Sequence, residues 1–293
     1  MFVKQITNES VVIGAPAKVN LFLEVLNRRA DGYHDINSLF QAVSLFDRIT
    51  FSRSEKSGVT VAVTSGFSVP TDRTNLMARA YQLLAEQLTV ESGLEIKIEK
   101  NIPIGAGLGG GSSDAAACLT ACNLLLDLHL SNVELSSFGL RIGSDIPFFF
   151  SGGQAQVTGR GDLITKTSYP VDYWMVLVTP DFHISTAQSY AALRIGLTPS
   201  RSPLNLRGCR TSDELIEFLR HSGNDFEKNH LVIYPELGRI KEKLLTNGAL
   251  LARMSGSGST IFGIYSEPPS EERIGSIEEH NWHVHTVRPI SLE

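Results

Sequence analysis

A glycine-rich segment in the middle of the chain is the strongest chemical signal in the sequence. Five glycines precede two serines at the start of an Ala-rich helical pattern: Gly105, Gly107, Gly109, Gly110, Gly111, Ser112 and Ser113. Glycine lets the backbone approach an anion closely, and the free N–H groups and positive dipole end of a helix start favour negative charge. The segment therefore predicts a phosphate-binding loop. A flexible linker would not run directly from an alternating strand pattern into an Ala-rich helix.

Two common phosphate-binding motifs compete for these glycines. Gly105, Gly107 and Gly110 fit Gly-x-Gly-x-x-Gly, so an oxidoreductase that binds a dinucleotide is the alternative class of enzyme. That fingerprint follows a buried parallel strand and has an acidic residue about 20 positions further on, at the end of the next strand. Here the preceding strand alternates apolar and charged residues, and Asp127, at that distance, falls within the predicted helix. A Walker loop is excluded because no lysine follows the glycines.

Polar residues also interrupt an apolar strand pattern near the N-terminus. Lys18 and Asn20 lie two positions apart in the run Gly14–Val25, so they point to the same face of a strand. Asp145 follows the end of a predicted helix and precedes Pro147. The plain interpretations are an edge strand with one wet face and a structural salt bridge. Beside a phosphate loop, a lysine and a carboxylate that are otherwise unexplained become candidates for a catalytic pair.

The elements that must position these residues follow from hydrophobic periodicity and helix-end signals. Strands are predicted at Gly14–Val25, Arg48–Ser52, Val59–Thr64, Leu94–Lys100, Tyr173–Val178, Leu250–Tyr265 (interrupted by a Gly/Ser loop) and Trp282–Val287. Helices are predicted at Asn75–Thr89, Ser112–Leu128, Thr186–Leu193, Ser212–His221 and Pro235–Thr246, with another that opens at the Ser131 and Glu134 capping box and ends at Gly143. The fold class is therefore α+β in two halves. We expect residues 1–155 to carry the glycine loop and residues 156–293 to supply a cleft wall.

Composition and charge bound the class of protein. The chain has 293 residues, of which 42% are hydrophobic and 19% charged, as in a globular protein rather than a disordered or fibrous one. A formal net charge of -5 provides no basic field, so we expect neither a nucleic acid nor a membrane as partner. No apolar run reaches the ~18 residues of a membrane span, and no targeting pattern is present. Three cysteines do not make a disulfide framework, so the expected location is cytoplasmic.

The segment Pro103–Ser113, Pro-x-Gly-x-Gly-Leu-Gly-Gly-Gly-Ser-Ser, resembles the phosphate loop of the GHMP kinase superfamily. Five further segments carry the resemblance in order along the chain: Pro16–Leu23, Arg28–His34, Gly143–Phe149, Asn224–Glu227 and Met254–Gly258. Together they are similar to the superfamily members that phosphorylate a cytidine-diphosphate-linked methylerythritol in non-mevalonate isoprenoid precursor biosynthesis. The stretch 195–211 carries no matching motif, and its role is open.

This resemblance implies a fold and a reaction. The fold would be a two-domain GHMP kinase fold, with an N-terminal domain of the ribosomal-protein S5 domain 2 type and a ferredoxin-like C-terminal domain. ATP, as co-substrate with Mg²⁺, would phosphorylate the 2-hydroxyl of 4-diphosphocytidyl-2-C-methyl-D-erythritol to give the 2-phosphate and ADP. The partners would be these two small molecules, while the Mg²⁺ ligands and the oligomeric state stay open. A binding module that has lost catalysis is a third alternative.

The resemblance also assigns site residues. Asp145 would be the general base, and Lys18 would keep it ionised and polarise the hydroxyl oxygen. The implied ATP-binding residues form one run: Pro103, Ile104, Gly105, Ala106, Gly107, Leu108, Gly109, Gly110, Gly111, Ser112 and Ser113, with Ser112 or Ser113 reaching Mg²⁺ or a phosphate oxygen. The implied substrate-binding residues are Asn20, Tyr33, His34, Phe40 and Tyr190. Tyr33 would stack on cytosine, His34 would bond its edge, and Tyr190 or a neighbour would take the opposite face. The loop Ser255–Ser259 would close the cleft near the phosphates.

Overall fold

The computed structural model describes residues 1–90, 92–193 and 208–292, so most of the stretch 195–211 lies outside the described residues. Within them, the first sheet contains β1 Phe2–Ile6, β2 Ser10–Arg28, β3 His34–Ser54, β4 Val59–Gly66, β5 Gly93–Lys100, β6 Gln154–Gly159 and β7 Leu163–Lys166. The strand order is β1-β2-β3-β5-β4, and β6 pairs with both β3 and β7. Since β4 and β5 are parallel and β3 and β5 antiparallel, the sheet is mixed.

Strand β2 is buried along most of its length and lies between β1 and β3. The Lys18 and Asn20 side chains are only 4% and 1% exposed. The edge-strand interpretation of these two residues is therefore wrong. Two polar side chains in a buried strand need hydrogen-bond partners, because burying a polar group without one costs roughly 2–7 kcal/mol.

Helices cover the first sheet: α1 Leu76–Leu88, α2 Gly110–Leu125 and α3 Asn132–Leu140, followed by a 3-10 helix at Ile146–Phe150. Asn75 caps α1 with its side chain, and the predicted capping box at Ser131 and Glu134 is present. Helix α2 ends three residues before its predicted end. Asp127 has a φ of 54°, in the left-handed region, so it lies beyond the helix rather than within it.

The second sheet contains β8 Trp174–Pro180, β9 Leu251–Met254, β10 Ile261–Tyr265 and β11 Trp282–Val287, in the antiparallel order β11-β8-β10-β9. Its helices are α4 Thr186–Ala192, α5 Ser212–His221, α6 Glu227–Ile233, α7 Pro235–Thr246 and α8 Glu271–Ile277. The predicted bounds of α5, α7 and β11 are confirmed. The sequence did not indicate α6 and α8, each of which has 7 residues. Among all described helices, none is long and apolar enough to cross a membrane.

The strand pairing bears on the division of the chain. The division expected at residue 155 falls inside β6, which pairs with residues 36–41 of β3 in the first sheet. Strand β7 extends the same sheet through its pairing with β6. The sequence did not indicate β6 and β7, which form a short hairpin rich in polar residues. On sheet membership, we propose that the first domain extends to Lys166.

The two halves share a hydrophobic core. Val19 and Leu21 of β2 lie in one buried cluster with Leu177 of β8, Leu215 of α5 and Phe262 of β10. After β11, the chain returns to the first sheet: the amide of Ile290 donates to the Ala42 carbonyl over 2.9 Å. Because β2 contributes to the cores of both halves, the Lys18 side chain is fixed at their junction.

Candidate active site

The glycine loop joins β5 to α2, as the sequence predicts. Gly105, Gly107 and Gly109 have φ angles of 61°, 77° and 68°, in the region that glycine adopts without steric cost. A Cβ on Gly107 would lie 2.1 Å from the carbonyl oxygen of Ser255. Ser255 in turn donates from its hydroxyl to the Gly107 carbonyl over 2.9 Å. The predicted loop Ser255–Ser259 therefore packs directly against the glycine loop.

One cavity, of about 320 Å³, opens between the glycine loop and the start of α1. The ATP-binding residues expected from the sequence line it, apart from Leu108 and Ser113: Pro103, Ile104, Gly105, Ala106, Gly107, Gly109, Gly110, Gly111 and Ser112. Leu108 and Ser113 are buried beside the loop instead. The opposite wall was missed, because its residues match no motif: Val69, Pro70, Thr74, Asn75 and Leu76. We call this the smaller cavity.

A second cavity, of about 600 Å³, lies on the other side of the loop. All of the expected catalytic and substrate-binding residues line it: Lys18, Asn20, Tyr33, His34, Phe40, Asp145 and Tyr190. Gly105, Gly107 and Gly109 line both cavities. The loop therefore forms the boundary at which this larger cavity meets the smaller one.

Lys18 and Asp145 face each other in the larger cavity. Lys18 Nζ lies 3.6 Å from Asp145 Oδ2, donates to Asn20 Oδ1 over 2.6 Å and donates to the Gly107 carbonyl over 3.2 Å. The same ammonium lies 4.6 Å from the centre of the Phe40 ring. Burial lowers the pKa of Lys18, and the carboxylate of Asp145 opposes that effect. Asp145 keeps 32% of its side chain exposed, so its carboxylate is open to a ligand.

The aromatic residues form the far end of the larger cavity. His34 and Tyr190 stack on each other, with ring centres 4.9 Å apart and planes 11° apart, and Tyr190 meets Phe226 edge-on. Tyr33 is 58% exposed and packs beneath the Arg160 guanidinium. The structure thus brings the three residues expected at the cytosine, Tyr33, His34 and Tyr190, to one cavity. The His34 ring covers one face of Tyr190, so that face is not open to a ligand.

Electrostatics differ between the two stacked rings. Burial lowers the pKa of His34, and Arg28 lowers it further, so the imidazole is neutral at pH 7. A neutral imidazole can donate from one nitrogen and accept at the other. Burial, with Asp145 nearby, raises the pKa of Tyr190 to about 12, so its hydroxyl keeps its proton.

The segment Asn224–Glu227 holds the two halves together behind this cavity. Asn224 Nδ2 donates to the carbonyls of Met254 and Gly256 over 2.8 Å each, and Glu227 Oε2 accepts from the Met254 amide over 2.7 Å. Asp225 Oδ2 accepts from the Val25 amide over 2.7 Å. The sequence singled out this segment without a role. The structure shows that it fixes the Met254–Gly258 loop against β2.

A buried ionic triad lies under the glycine loop. Lys100 Nζ donates to Asp114 Oδ2 over 2.8 Å and to Asp47, while Asp47 Oδ1 accepts from the amides of Asn101 and Ile102. The triad therefore ties β3, the start of the loop and the first turns of α2 together. Burial raises the pKa of Asp114 to about 8, although Lys100 lowers it. The two carboxylates raise the pKa of Lys100 above its usual value against the effect of burial.

The triad of Asp47, Lys100 and Asp114 was not predicted from the sequence, although the position of Lys100 in β5 indicates a buried charge. Period-two alternation in β5 puts Lys100 in phase with Leu94, Ile96 and Ile98, which are buried. A charged residue in the inward phase of a strand indicates a buried partner. Asp114, directly after the two serines of the glycine loop, points its Oδ2 at Lys100.

Other proteins are similar to this chain over nearly its whole length. Family models for the N-terminal and C-terminal domains of GHMP kinases match residues 75–153 and 209–279. The chain is 42% identical over 282 residues to a 4-diphosphocytidyl-2-C-methyl-D-erythritol kinase of Syntrophotalea carbinolica, covering 94% of this chain and 98% of the relative. The chain belongs to this family of GHMP kinases.

Two further similarities agree with that assignment. A 4-diphosphocytidyl-2-C-methyl-D-erythritol kinase of Geobacter metallireducens is 39% identical over 294 residues, covering 96% of this chain and 99% of the relative. A crystal structure of a 4-(cytidine 5'-diphospho)-2C-methyl-D-erythritol kinase is similar with a TM-score of 0.79 at 31% identity, covering 94% of this chain and 99% of that one. The two-domain GHMP kinase fold expected from the sequence is confirmed.

Proposed function

We propose that this chain transfers the γ-phosphoryl group of ATP to the 2-hydroxyl of 4-diphosphocytidyl-2-C-methyl-D-erythritol, giving the 2-phosphate and ADP. One observation carries the proposal: a glycine loop separates two cavities, and Lys18 and Asp145 face each other in the larger one. Such a layout suits a donor and an acceptor that meet at one point. The names of the relatives support the choice of acceptor.

ATP is assigned to the smaller cavity. At the start of α2, the amides of Gly110, Gly111 and Ser112 precede the first intrahelical hydrogen bond, which Ser113 donates to Gly109. These free amides and the helix dipole favour the triphosphate. An acidic chain can therefore bind ATP without a basic surface, because the anion is held by local backbone groups.

Asp145 acts as the general base in this mechanism. Its Oδ2 accepts the proton of the 2-hydroxyl as the alcohol oxygen bonds to the γ-phosphorus. The bond from the γ-phosphorus to the bridging oxygen breaks, and ADP leaves with that electron pair. Lys18, 3.6 Å from Asp145, favours the carboxylate form and attracts the negative charge that develops on the oxygen.

The acceptor occupies the larger cavity. Asn20 and Phe40 flank Lys18, so they are assigned to the methylerythritol part. Tyr33 offers an exposed ring face to cytosine, and neutral His34 can both donate to and accept from its edge. Tyr190 can take the opposite face of the base only when His34 leaves its stack on Tyr190.

The residues present fit Mg²⁺ that is held mainly by ATP. The described residues contain no group of three His, Cys, Asp or Glu side chains suited to a metal. Mg²⁺ in kinases takes one or two protein oxygens together with substrate phosphates, and it neutralises phosphate charge when bound. Ser112, which lines the smaller cavity, supplies such an oxygen. Asp114 also lines this cavity: its Oδ2 is taken by Lys100, whereas its Oδ1 has no hydrogen-bond partner among the described residues.

We place the reaction in the cytoplasm. Cys118, Cys122 and Cys209 are free thiols, and the first two are buried in α2. Unpaired cysteines are usual where thiols are kept reduced.

A direct product assay tests the function. Purified protein with Mg-ATP is offered 4-diphosphocytidyl-2-C-methyl-D-erythritol, homoserine or mevalonate, and products are identified by mass spectrometry. We expect a gain of one phosphoryl group on the first compound alone. Preference for homoserine or mevalonate would contradict the assignment, and ATP binding without any transfer would favour a binding module. A titration with NADH, detected by its fluorescence, tests the oxidoreductase alternative. Tight NADH binding without ATP binding would favour that class.

Gly109→Ala is expected to lower kcat by about 10- to 100-fold. A Cβ at position 109 would lie 2.9 Å from Lys18 Cγ and 3.0 Å from Lys18 Cε, so the lysine must move. Displacing a catalytic group by about 1 Å can cost a factor of about 100 in rate. Steady-state kinetics with both substrates measures the effect.

Gly58→Ala is the matched control. Gly58 has a φ of 95°, so alanine is strained there as well, but its Cβ would meet nothing within 4 Å. We expect it to lose about 1–2 kcal/mol of unfolding free energy and to keep wild-type kcat. Equal loss of activity in both variants would show that backbone strain, rather than the Lys18 contact, is the cause.

A further inference from the structure

The larger cavity carries two cationic side chains at different places among its lining residues, Lys18 and Arg160. Lys18 is buried and engaged with Asn20, Gly107 and Asp145. Arg160 lies on the turn between β6 and β7, with 42% of its side chain exposed. Its guanidinium lies 5.1 Å from the centre of the Tyr33 ring. The Arg160 guanidinium therefore lies beside Tyr33, at the aromatic end of the cavity, rather than beside Asp145.

The turn that carries Arg160 is held in place. The Arg160 amide donates to Asp162 Oδ1 over 2.9 Å, and Asp162 Oδ2 lies 3.5 Å from Arg160 Nε. A Cβ on Gly161 would lie 3.7 Å from Ser144 Cβ, so the turn packs against the residue next to Asp145. Gly161 and Ser144 also line the cavity. The turn thus lies against the segment of the proposed general base, while the guanidinium itself contacts Asp162 and Tyr33.

The proposed acceptor has an anionic middle. Its cytosine end belongs with Tyr33, His34 and Tyr190, and its alcohol end with Lys18 and Asp145, so its diphosphate must lie between them. The amides of the glycine loop are already assigned to ATP. A diphosphate needs charged donors, and a guanidinium offers paired N–H groups that match phosphate oxygens.

We propose that Arg160 determines specificity by binding the diphosphate of the acceptor while Tyr33, beneath it, binds the base. This inference rests on the function proposed above. Arg160 makes no bond to the reacting atoms, so it contributes to binding rather than to the chemical step. The class of ligand that this site would bind is a nucleoside diphosphate. A nucleoside monophosphate lacks the second phosphoryl group that Arg160 would hold.

The test measures kinetics and binding in parallel. Arg160→Ala and Arg160→Gln are expected to raise KM for the acceptor by about 10- to 100-fold, with kcat and KM for ATP within about 3-fold of wild type. Arg160→Lys should recover part of the loss, because lysine keeps the charge without the paired donors. Arg141→Ala, at the exposed end of α3 and outside both cavities, is the control and should leave all constants unchanged.

Calorimetric titration with CDP and with CMP separates this inference from the function. Wild type is expected to bind CDP at least about 10-fold more tightly than CMP, and Arg160→Gln should bind the two about equally. An unchanged preference for CDP in Arg160→Gln would overturn the role of Arg160 even if the kinase reaction is confirmed. Conversely, an Arg160-dependent preference with no phosphorylated product would support the inference and reject the proposed function.

Discussion

Asp145→Asn is expected to lower kcat by about 10²- to 10⁴-fold, the usual contribution of a positioned general base. Asparagine has the same shape but cannot accept the proton of the 2-hydroxyl. Because Asp145 lies in the larger cavity, on the other side of the loop from the proposed ATP site, KM for ATP should stay within about 3-fold of wild type. Steady-state rates with varied ATP and varied acceptor give both constants.

Asp172→Asn serves as the control for this substitution. Its side chain is 95% exposed, and the residue lines neither cavity. The same change of charge there should leave kcat at the wild-type value. Turnover of Asp145→Asn close to that of wild type would falsify the general-base role, and catalysis would then depend on positioning and charge neutralisation alone.

Lys100→Met is expected to destabilise the protein by about 3–5 kcal/mol, the usual cost of removing one partner of a buried ion pair. Lys100 is 2% exposed, and without its ammonium Asp47 and Asp114 would face each other with no cation between them. The loop start and α2 are joined through this lysine, so KM for ATP should also rise. Urea unfolding followed by circular dichroism measures the stability, and kinetics measures KM.

Asp114→Asn provides the contrast within the same triad. Burial raises the pKa of the Asp114 carboxyl to about 8 and so disfavours its charged form, and a neutral amide there should cost less than about 1.5 kcal/mol. Since the folded-state pKa lies above the unfolded value of 3.8, the stability contributed by this proton is complete below pH 3.8 and is lost as pH rises through about 8. Asp114→Asn should lack that decline between pH 4 and 8. A loss in Asp114→Asn as large as in Lys100→Met would show that Asp114 is charged in the folded protein.

The chain by itself determined the parts of the site that depend on near neighbours. Alternation in β5, glycines at a helix start and a capping box are all local signals, and each of these elements forms, although α2 ends three residues before its predicted end. The shared face of Lys18 and Asn20 follows from the period of a strand, and their side chains meet over 2.6 Å. Local patterns were sufficient here because the backbone geometry of one element fixes the direction of its own side chains.

Only the tertiary structure decided which elements meet. Asp47, Lys100 and Asp114 come from β3, β5 and α2, and no local pattern specifies their meeting. The hairpin β6–β7 joins the first sheet through β3, which places Arg160 in the cavity although the sequence there showed no strand signal. Pairing between distant segments depends on the packing of the whole core, since each such contact gains stability only when its neighbours are already in place. The loop that binds phosphate could therefore be predicted from residues in one stretch. The triad and the position of Arg160 became visible only once the distant strands and helices of the first domain were packed together.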